Sequence, residues 1–204
     1  MPWTTPNLFT LLRIALIPLF IAAYFWPHRW ANEMATALFI IAGLTDWLDG
    51  YLARRLQQFS PFGAFLDPVA DKLMVAAALI LLAADLRVTQ LVLDQRLFTV
   101  MVLVIMGREI AVSALREWMA EVGKRGHVAV SLVGKFKTTS QMVAIGMLLW
   151  REPLGPVPVF RIGEILLYLA AGLTLWSMLT YLRAAWPNLV RPTKSAAKDP
   201  PDAA

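Results

Sequence analysis

The stretch Ala35-Thr36-Ala37-Leu38-Phe39-Ile40-Ile41-Ala42-Gly43-Leu44 runs without a break into Thr45-Asp46-Trp47-Leu48-Asp49-Gly50-Tyr51-Leu52-Ala53-Arg54-Arg55, and that join decides how the chain is read. The first half is apolar enough for a bilayer, whereas the second carries two acids and two bases within eleven residues. The next stretch mirrors it. Ser60-Pro61-Phe62-Gly63-Ala64-Phe65-Leu66-Asp67-Pro68-Val69-Ala70-Asp71-Lys72 becomes purely apolar only from Leu73 to Ala84. With Ser60-Pro61 as the breaker between them, two antiparallel helices carry their acids toward one end. The spacing predicts a polar site at the edge of a membrane.

Working outward, the whole chain of 204 residues has a membrane composition: 58% hydrophobic, 16% charged and a mean hydropathy of +0.60. An average soluble chain is about 45–50% apolar and about 25% charged. The richness in Leu, Val, Ile, Trp and Phe excludes a disordered chain, and the lack of cysteine excludes a disulfide framework. Counting apolar stretches predicts an all-α polytopic membrane protein with six transmembrane helices, roughly Asn7–Trp26, Met34–Leu56, Gly63–Ala84, Arg96–Met119, Lys135–Trp150 and Val159–Arg183. The start has no basic region and no small-residue cleavage site follows Leu8 to Trp26, so the first run reads as a retained helix rather than a signal peptide. One membrane domain is expected over 1–185, with a flexible cytosolic tail over 186–204, where prolines and alanines replace the apolar pattern.

Charge sets the orientation. Three connections carry only Arg29, Arg87, Arg96, Arg151 and Arg161, while the opposite set carries Arg54, Arg55, Arg116, Lys124, Arg125, Lys135, Lys137, Arg183, Arg191, Lys194 and Lys198. The positive-inside rule then puts both termini in the cytoplasm. The net charge of +5 points to anionic headgroups or substrates rather than to nucleic acid in such a chain.

Asp46 and Asp49 are three apart and Asp67 and Asp71 four apart, so each pair shares a helix face and neighbouring helices aim four carboxylates at one point. Each ionised acid costs roughly 2.5–3.5 kcal/mol in a bilayer, and the four repel one another, so a cation is required. Hard oxygen donors suit Mg²⁺, Mn²⁺ or Ca²⁺; zinc is disfavoured because cysteine is absent and His28 and His127 lie outside the cluster. The small residues Gly50, Ala53 and Gly63 leave the backbone bare for a ring or phosphate to approach. Asp85, Asp94, Glu33 and Glu152 read differently, as helix caps or snorkelling surface charges.

Read as a string, the segment is Asp46-x2-Asp49-Gly50-x2-Ala53-Arg54-x8-Gly63-x3-Asp67-x3-Asp71. It resembles, with every fixed position filled, the signature of the CDP-alcohol phosphatidyltransferases. Pro6-Asn7-Leu8-Phe9-Thr10-x2-Arg13 is similar to the family's N-terminal element, and Ala114-Leu115-Arg116-Glu117-Trp118-Met119 and Gly134-Lys135-x-Lys137-Thr138-Thr139 resemble its glycerol-phosphate branch. The resemblance runs from about Pro6 to about Arg183. It implies transfer of a phosphatidyl group from CDP-diacylglycerol to glycerol 3-phosphate, with Mg²⁺ or Mn²⁺ as cofactor, two ions in all, in a homodimer at the cytosolic face of a bacterial inner membrane.

The resemblance further implies Asp46, Asp49, Asp67 and Asp71 as the metal ligands, Asp71 also as the base toward the attacking hydroxyl, and Gly50, Ala53, Arg54, Gly63 and Asn7 as the holders of CDP-diacylglycerol. Arg108, Arg116, Lys135, Lys137 and Thr138 flank the same edge and suit a dianionic phosphate, since Arg offers a bidentate fork and Lys a point charge. Arg108 interrupts an apolar segment, where an unpaired guanidinium is costly, and Glu109 has Arg116 on its own helix face as an alternative partner. Two competing readings remain at this point. One keeps the chemistry but changes the acceptor to serine, inositol phosphate or phosphatidylglycerol; the other makes the acids the pathway of a divalent-cation channel or carrier.

Overall fold

The computed structural model describes residues 5–56, 61–121 and 132–190. Six long helices fill them: α1 (Thr5–Tyr24), α2 (Ala31–Leu56), α3 (Pro61–Ala84), then, after the one-turn α4 (Leu86–Thr89), α5 (Gln95–Glu121), α6 (Leu132–Trp150) and α7 (Val159–Val190). Among the described residues there is no strand, only a single bridge between Leu154 and Val157. α3 starts at Pro61, two residues before the expected Gly63, because proline is suited to a first helical position where its missing N–H has no partner to lose. α7 overruns the expected boundary at 186 and continues to Val190, so Pro187 deletes one helical hydrogen bond without ending the helix.

The helices pack in a bundle. α1 lies chiefly against α2 and also against α3, α6 lies against α7 and α2, and α5 joins α7 to α3. The shared core is built from Phe20, Phe39, Met74, Leu79, Leu82, Phe98, Ile105, Ile145, Leu148 and Leu167, all fully buried or nearly so. Outside it, Leu12, Ile41, Leu103, Ile110, Leu169 and Trp176 are well exposed. A surface so apolar is an association liability in water and the ordinary state of a helix apolar all round in lipid.

α5 and α7 contain runs, Gln95–Met119 and Val159–Thr180, long and apolar enough to cross a membrane by themselves. The apolar run of α1, Leu8–Tyr24, is shorter. In α2, α3 and α6 the charged residues at one end cut the apolar stretch below the roughly 20 residues a span needs. The described residues are all-helical, with two candidate spans, an architecture consistent with a membrane protein.

The connections 25–30, 85–94 and 151–158 meet at one end of the bundle. There the Tyr24 hydroxyl donates to Asp85 Oδ2 at 3.0 Å, and Arg151 Nη2 donates to both Asp85 Oδ2 (2.9 Å) and the Tyr24 oxygen (2.6 Å). Arg151 ends α6 at φ 63°, a left-handed position usually given to Gly or Asn at a helix C-terminus. Its side chain, 7% exposed, explains the choice, because no glycine could reach Asp85. A second knot lies nearby: Glu164, fully buried on α7, accepts from the Leu93 N–H and the Tyr168 hydroxyl, each at 2.7 Å, and pairs with Arg161. Asp94 accepts from the Leu97 N–H at 2.8 Å and so caps α5, as its position suggested.

Candidate active site

The polar end of α2 and the polar end of α3 come together at the other end of the bundle. Asp46 of α2 and Asp71 of α3 line one cavity of about 790 Å³, with Thr138 and Thr139 of α6 on its far wall. Three segments far apart in sequence thus converge where the apolar pattern breaks. The rest of the wall is almost entirely apolar, with Phe39, Ile40, Met142, Val143 and Trp150 among its members, so the cavity is a greasy groove with carboxylates at one end.

Asp46 has a partner that its neighbours in sequence do not reveal. Arg13 of α1 is 1% exposed and places Nη1 2.8 Å from Asp46 Oδ1, while the Asp46 side chain stays 46% exposed. A guanidinium so buried needs a carboxylate, since leaving it unpaired would cost several kcal/mol. Only part of Asp46 is engaged, so it keeps lone pairs for a ligand in the cavity. The next residue after Asp71 is held as well: Lys72 Nζ donates to Ser113 Oγ and ties α3 to α5.

Arg108 is buried and pairs with its neighbour Glu109, Nη1 to Oε1 at 2.9 Å. It is not among the residues lining the cavity. Glu109 therefore has Arg108 beside it; the side chain of Arg116, the partner expected from the helix face, lies outside the described residues. Asn7, Asp49, Gly50, Ala53, Arg54, Gly63, Asp67, Arg116, Lys135 and Lys137 lie on described helices, but their side chains are outside the described residues. Their backbone positions are nevertheless informative. Asp49 to Arg54 follow Asp46 toward the end of α2, Gly63 and Asp67 precede Asp71 at the start of α3, Arg116 is near the end of α5, and Lys135 and Lys137 immediately precede Thr138 at the start of α6.

The donor chemistry fits a hard divalent cation, because what faces the cavity is carboxylate and hydroxyl oxygen. Among the described residues no three acids or imidazoles gather as a complete ligand set; the other two acids of the motif are outside them. His28 sits at the opposite end, lining a separate recess with Trp26 and Trp30.

The model of the CDP-alcohol phosphatidyltransferase family matches residues 3–176. The chain is 50% identical over 192 residues to the CDP-diacylglycerol–glycerol-3-phosphate 3-phosphatidyltransferase of Pectobacterium atrosepticum, covering 94% of this chain and all of that protein. It is 52% identical over 185 residues to the protein of the same name from Pseudomonas fluorescens, covering 90% and 91%. The Yersinia enterocolitica protein of that name is 48% identical over 187 residues, covering 92% and 97%. A family match across most of the chain, relatives of nearly equal length and two signature aspartates at the mouth of one groove agree: the chain belongs to the CDP-alcohol phosphatidyltransferase family.

Proposed function

We propose that this chain transfers the phosphatidyl group of CDP-diacylglycerol to glycerol 3-phosphate, releasing CMP and forming phosphatidylglycerophosphate. The observation that carries the reading is the near-50% identity, over almost the full length, to bacterial proteins named for that reaction. The groove supports it physically. A lipid with a charged headgroup needs an apolar bed that ends in polar groups, and Asp46 and Asp71 stand at such an end.

In this reading a primary hydroxyl oxygen of glycerol 3-phosphate attacks the phosphatidyl phosphorus, the P–O bond to CMP breaks, and the hydroxyl proton passes to a carboxylate. Asp71 is that carboxylate, orienting the alcohol and accepting its proton. Divalent ions, Mg²⁺ or Mn²⁺ and two in number, supply neutralisation of the pyrophosphate when bound; Asp46, Asp49, Asp67 and Asp71 are the residues to hold them. Arg13 fixes one oxygen of Asp46 and so sets the direction of the other. Arg54, with the bare backbone at Gly50, Ala53 and Gly63 and the amide of Asn7, holds the nucleotide. Arg108, Arg116, Lys135, Lys137 and Thr138 take the phosphate of the acceptor, with Glu109 beside Arg108.

The protein works as six spans of a bacterial cytoplasmic membrane, as a homodimer, with both termini and the site on the cytosolic side. Residues 1–185 form the membrane domain and the remainder its cytosolic tail. A cation pathway would need polar groups through the depth of the membrane, and the groove wall below Asp46 is apolar. The test is CMP release from labelled CDP-diacylglycerol with Mg²⁺ or Mn²⁺ and four acceptors compared: glycerol 3-phosphate, serine, inositol phosphate and phosphatidylglycerol. A preference for glycerol 3-phosphate is expected, and turnover with another acceptor alone would sink the assignment. Orientation is tested by cysteines at Ser60, Pro156 and Lys194 against the cysteine-free background; an impermeant thiol reagent applied to whole cells should label only the one at 156.

A further inference from the structure

The groove extends far beyond the acids. Along α6 its lining runs from Thr138 to Trp150, twelve residue steps, or about 18 Å at about 1.5 Å per step. One leaflet of a bilayer offers about 15 Å of hydrocarbon, half of the roughly 30 Å core. The groove is therefore deep enough for a whole acyl chain. Nothing polar interrupts that path: Thr36, which lines it on α2, donates its hydroxyl to the Asn32 carbonyl at 2.7 Å within its own helix.

Two glycines line the wall, and they differ from the glycine that serves packing. At Gly163 on α7 an added Cβ would come within 2.7 Å of Met147 Cβ and 3.1 Å of the Ala144 carbonyl oxygen, so that glycine lets α7 approach α6 closely. At Gly43 an added Cβ would meet Met142 Cε at 3.1 Å, the far end of a flexible side chain. At Gly146 it would meet nothing within 4 Å. Packing against the protein does not require a glycine there; the missing side chain leaves open groove. Gly146 lies eight residues from Thr138, about 12 Å down the groove.

We infer that the groove between α2 and α6 takes one acyl chain of the nucleotide-activated lipid and that Gly146 is a specificity-determining residue, its bare backbone admitting chains that reach past about 12 Å of depth. The inference rests on the CDP-diacylglycerol reading. The occupant follows from continuity: the groove opens directly onto Asp46 and Asp71, where the headgroup of that lipid must lie, so the chain entering it is the one attached to that headgroup. Chain length then becomes a property of the wall.

The test compares dioctanoyl and dipalmitoyl CDP-diacylglycerol as donors for the full-length enzyme, with CMP release measured against glycerol 3-phosphate. Gly146→Leu places four carbons into the groove. It should raise KM for the dipalmitoyl donor about tenfold or more relative to the dioctanoyl donor, in line with the discrimination a few methylenes give in an apolar pocket, and leave kcat with the dioctanoyl donor within about twofold. Leu169→Phe, on the exposed face of α7, adds bulk outside the groove and should leave the ratio unchanged. Gly146→Ala is the second variant should the leucine fail to fold, with a smaller shift of the same sign. An unchanged ratio in the folded variants, or an equal loss with both donors, overturns the inference. Absence of CMP release by the wild-type enzyme from either donor overturns instead the reading on which it rests.

Discussion

Asp85 and Asp46 sit at opposite ends of the same bundle, each paired with a buried arginine, yet they are in different chemical situations. The Asp85 side chain is 11% exposed and accepts from Tyr24, Arg87 and Arg151. The Asp46 side chain is 46% exposed, meets Arg13 through one oxygen and otherwise faces a groove. The first carboxylate is spent on the fold, holding the ends of α1, α3 and α6 together. The second keeps capacity in hand for a ligand. A buried arginine beside an acid is therefore no guide to function by itself; what separates structure from chemistry is whether the acid has lone pairs left and somewhere to point them.

The strongest way to break this comparison is to neutralise an acid at each end. Asp71→Asn should lower kcat by about a hundred- to ten-thousandfold, the range for a lost proton acceptor in a reacting site, while the melting temperature in detergent changes little. Asp46→Asn should also abolish most turnover, but with a lower melting temperature, because it weakens the pairing of buried Arg13. Retention of more than about a tenth of the turnover at saturating Mg²⁺ would mean a loss below about 1.4 kcal/mol, too small for a ligand or base.

The opposite pattern is expected from Asp85→Ala. Arg151, 7% exposed, would lose its carboxylate, and removing one partner of a buried pair costs about 3–5 kcal/mol. Thermal unfolding should shift down by several degrees, with KM for both substrates unchanged at temperatures where the variant is folded. Altered KM without loss of stability would make the two ends alike and remove the distinction.

How much of this contrast was legible beforehand depends on how local the signal is. The six long helices follow from apolar runs interrupted by charge, and all their ends but the last fall within about three residues of the structure because Pro61, Asp94 and the Arg151 to Pro158 connection are punctuation written into the sequence; α7 runs seven residues past the expected Arg183 to Val190. The four-residue α4 is too short to leave a period. Asp46 and Asp71 were readable from their spacing, and Thr138 from its place after Lys135 and Lys137. Arg13 was visible only as part of the N-terminal element; its pairing with Asp46 requires the docking of α1 on α2, which no local pattern encodes. Asp85 was read as a cap, and it does cap α4 by accepting from the Arg87 N–H at 2.9 Å, but its burial beneath Arg151 joins residues 66 apart. Glu164 was missed although a signal existed: an acid near the start of an apolar helix, with Arg161 three residues before and Tyr168 four after, marks a charge satisfied by its own helix face.

A smaller effect sharpens the picture of the acid end. Arg116→Gln or Lys135→Gln should raise KM for glycerol 3-phosphate, or lower kcat/KM for it, by about ten- to a hundredfold, the size of one charge-assisted contact of roughly 1.5–3 kcal/mol. Binding of CDP-diacylglycerol should stay nearly intact, whereas Arg54→Gln should weaken the donor instead. Parallel loss of both substrates would return the bases to topology and lipid-headgroup contact.

Acid titrates every carboxylate, and a comparison with Asp85→Asn isolates the one at the structural end. Asp85 lies in the connection after α3. Burial pushes its carboxyl up, but the side-chain and backbone hydrogen bonds from Arg87, the charge of Arg151 and the Tyr24 hydroxyl outweigh that and hold it at about 2, against an ordinary value of 3.8. A carboxyl depressed in the folded state stabilises the fold fully above its unfolded value, and that stabilisation fades as pH falls from about 4 toward about 2. At about 1.4 kcal/mol per pH unit of difference, roughly 2 kcal/mol is at stake. The melting temperature of the wild-type protein should therefore fall across that window more steeply than that of Asp85→Asn, which starts lower and has no proton to gain at this position. Parallel curves for the two proteins would show that Asp85 does not hold its proton off through the clasp, and the connection between α1, α3 and α6 would then have to draw its stability from the apolar contacts beneath it.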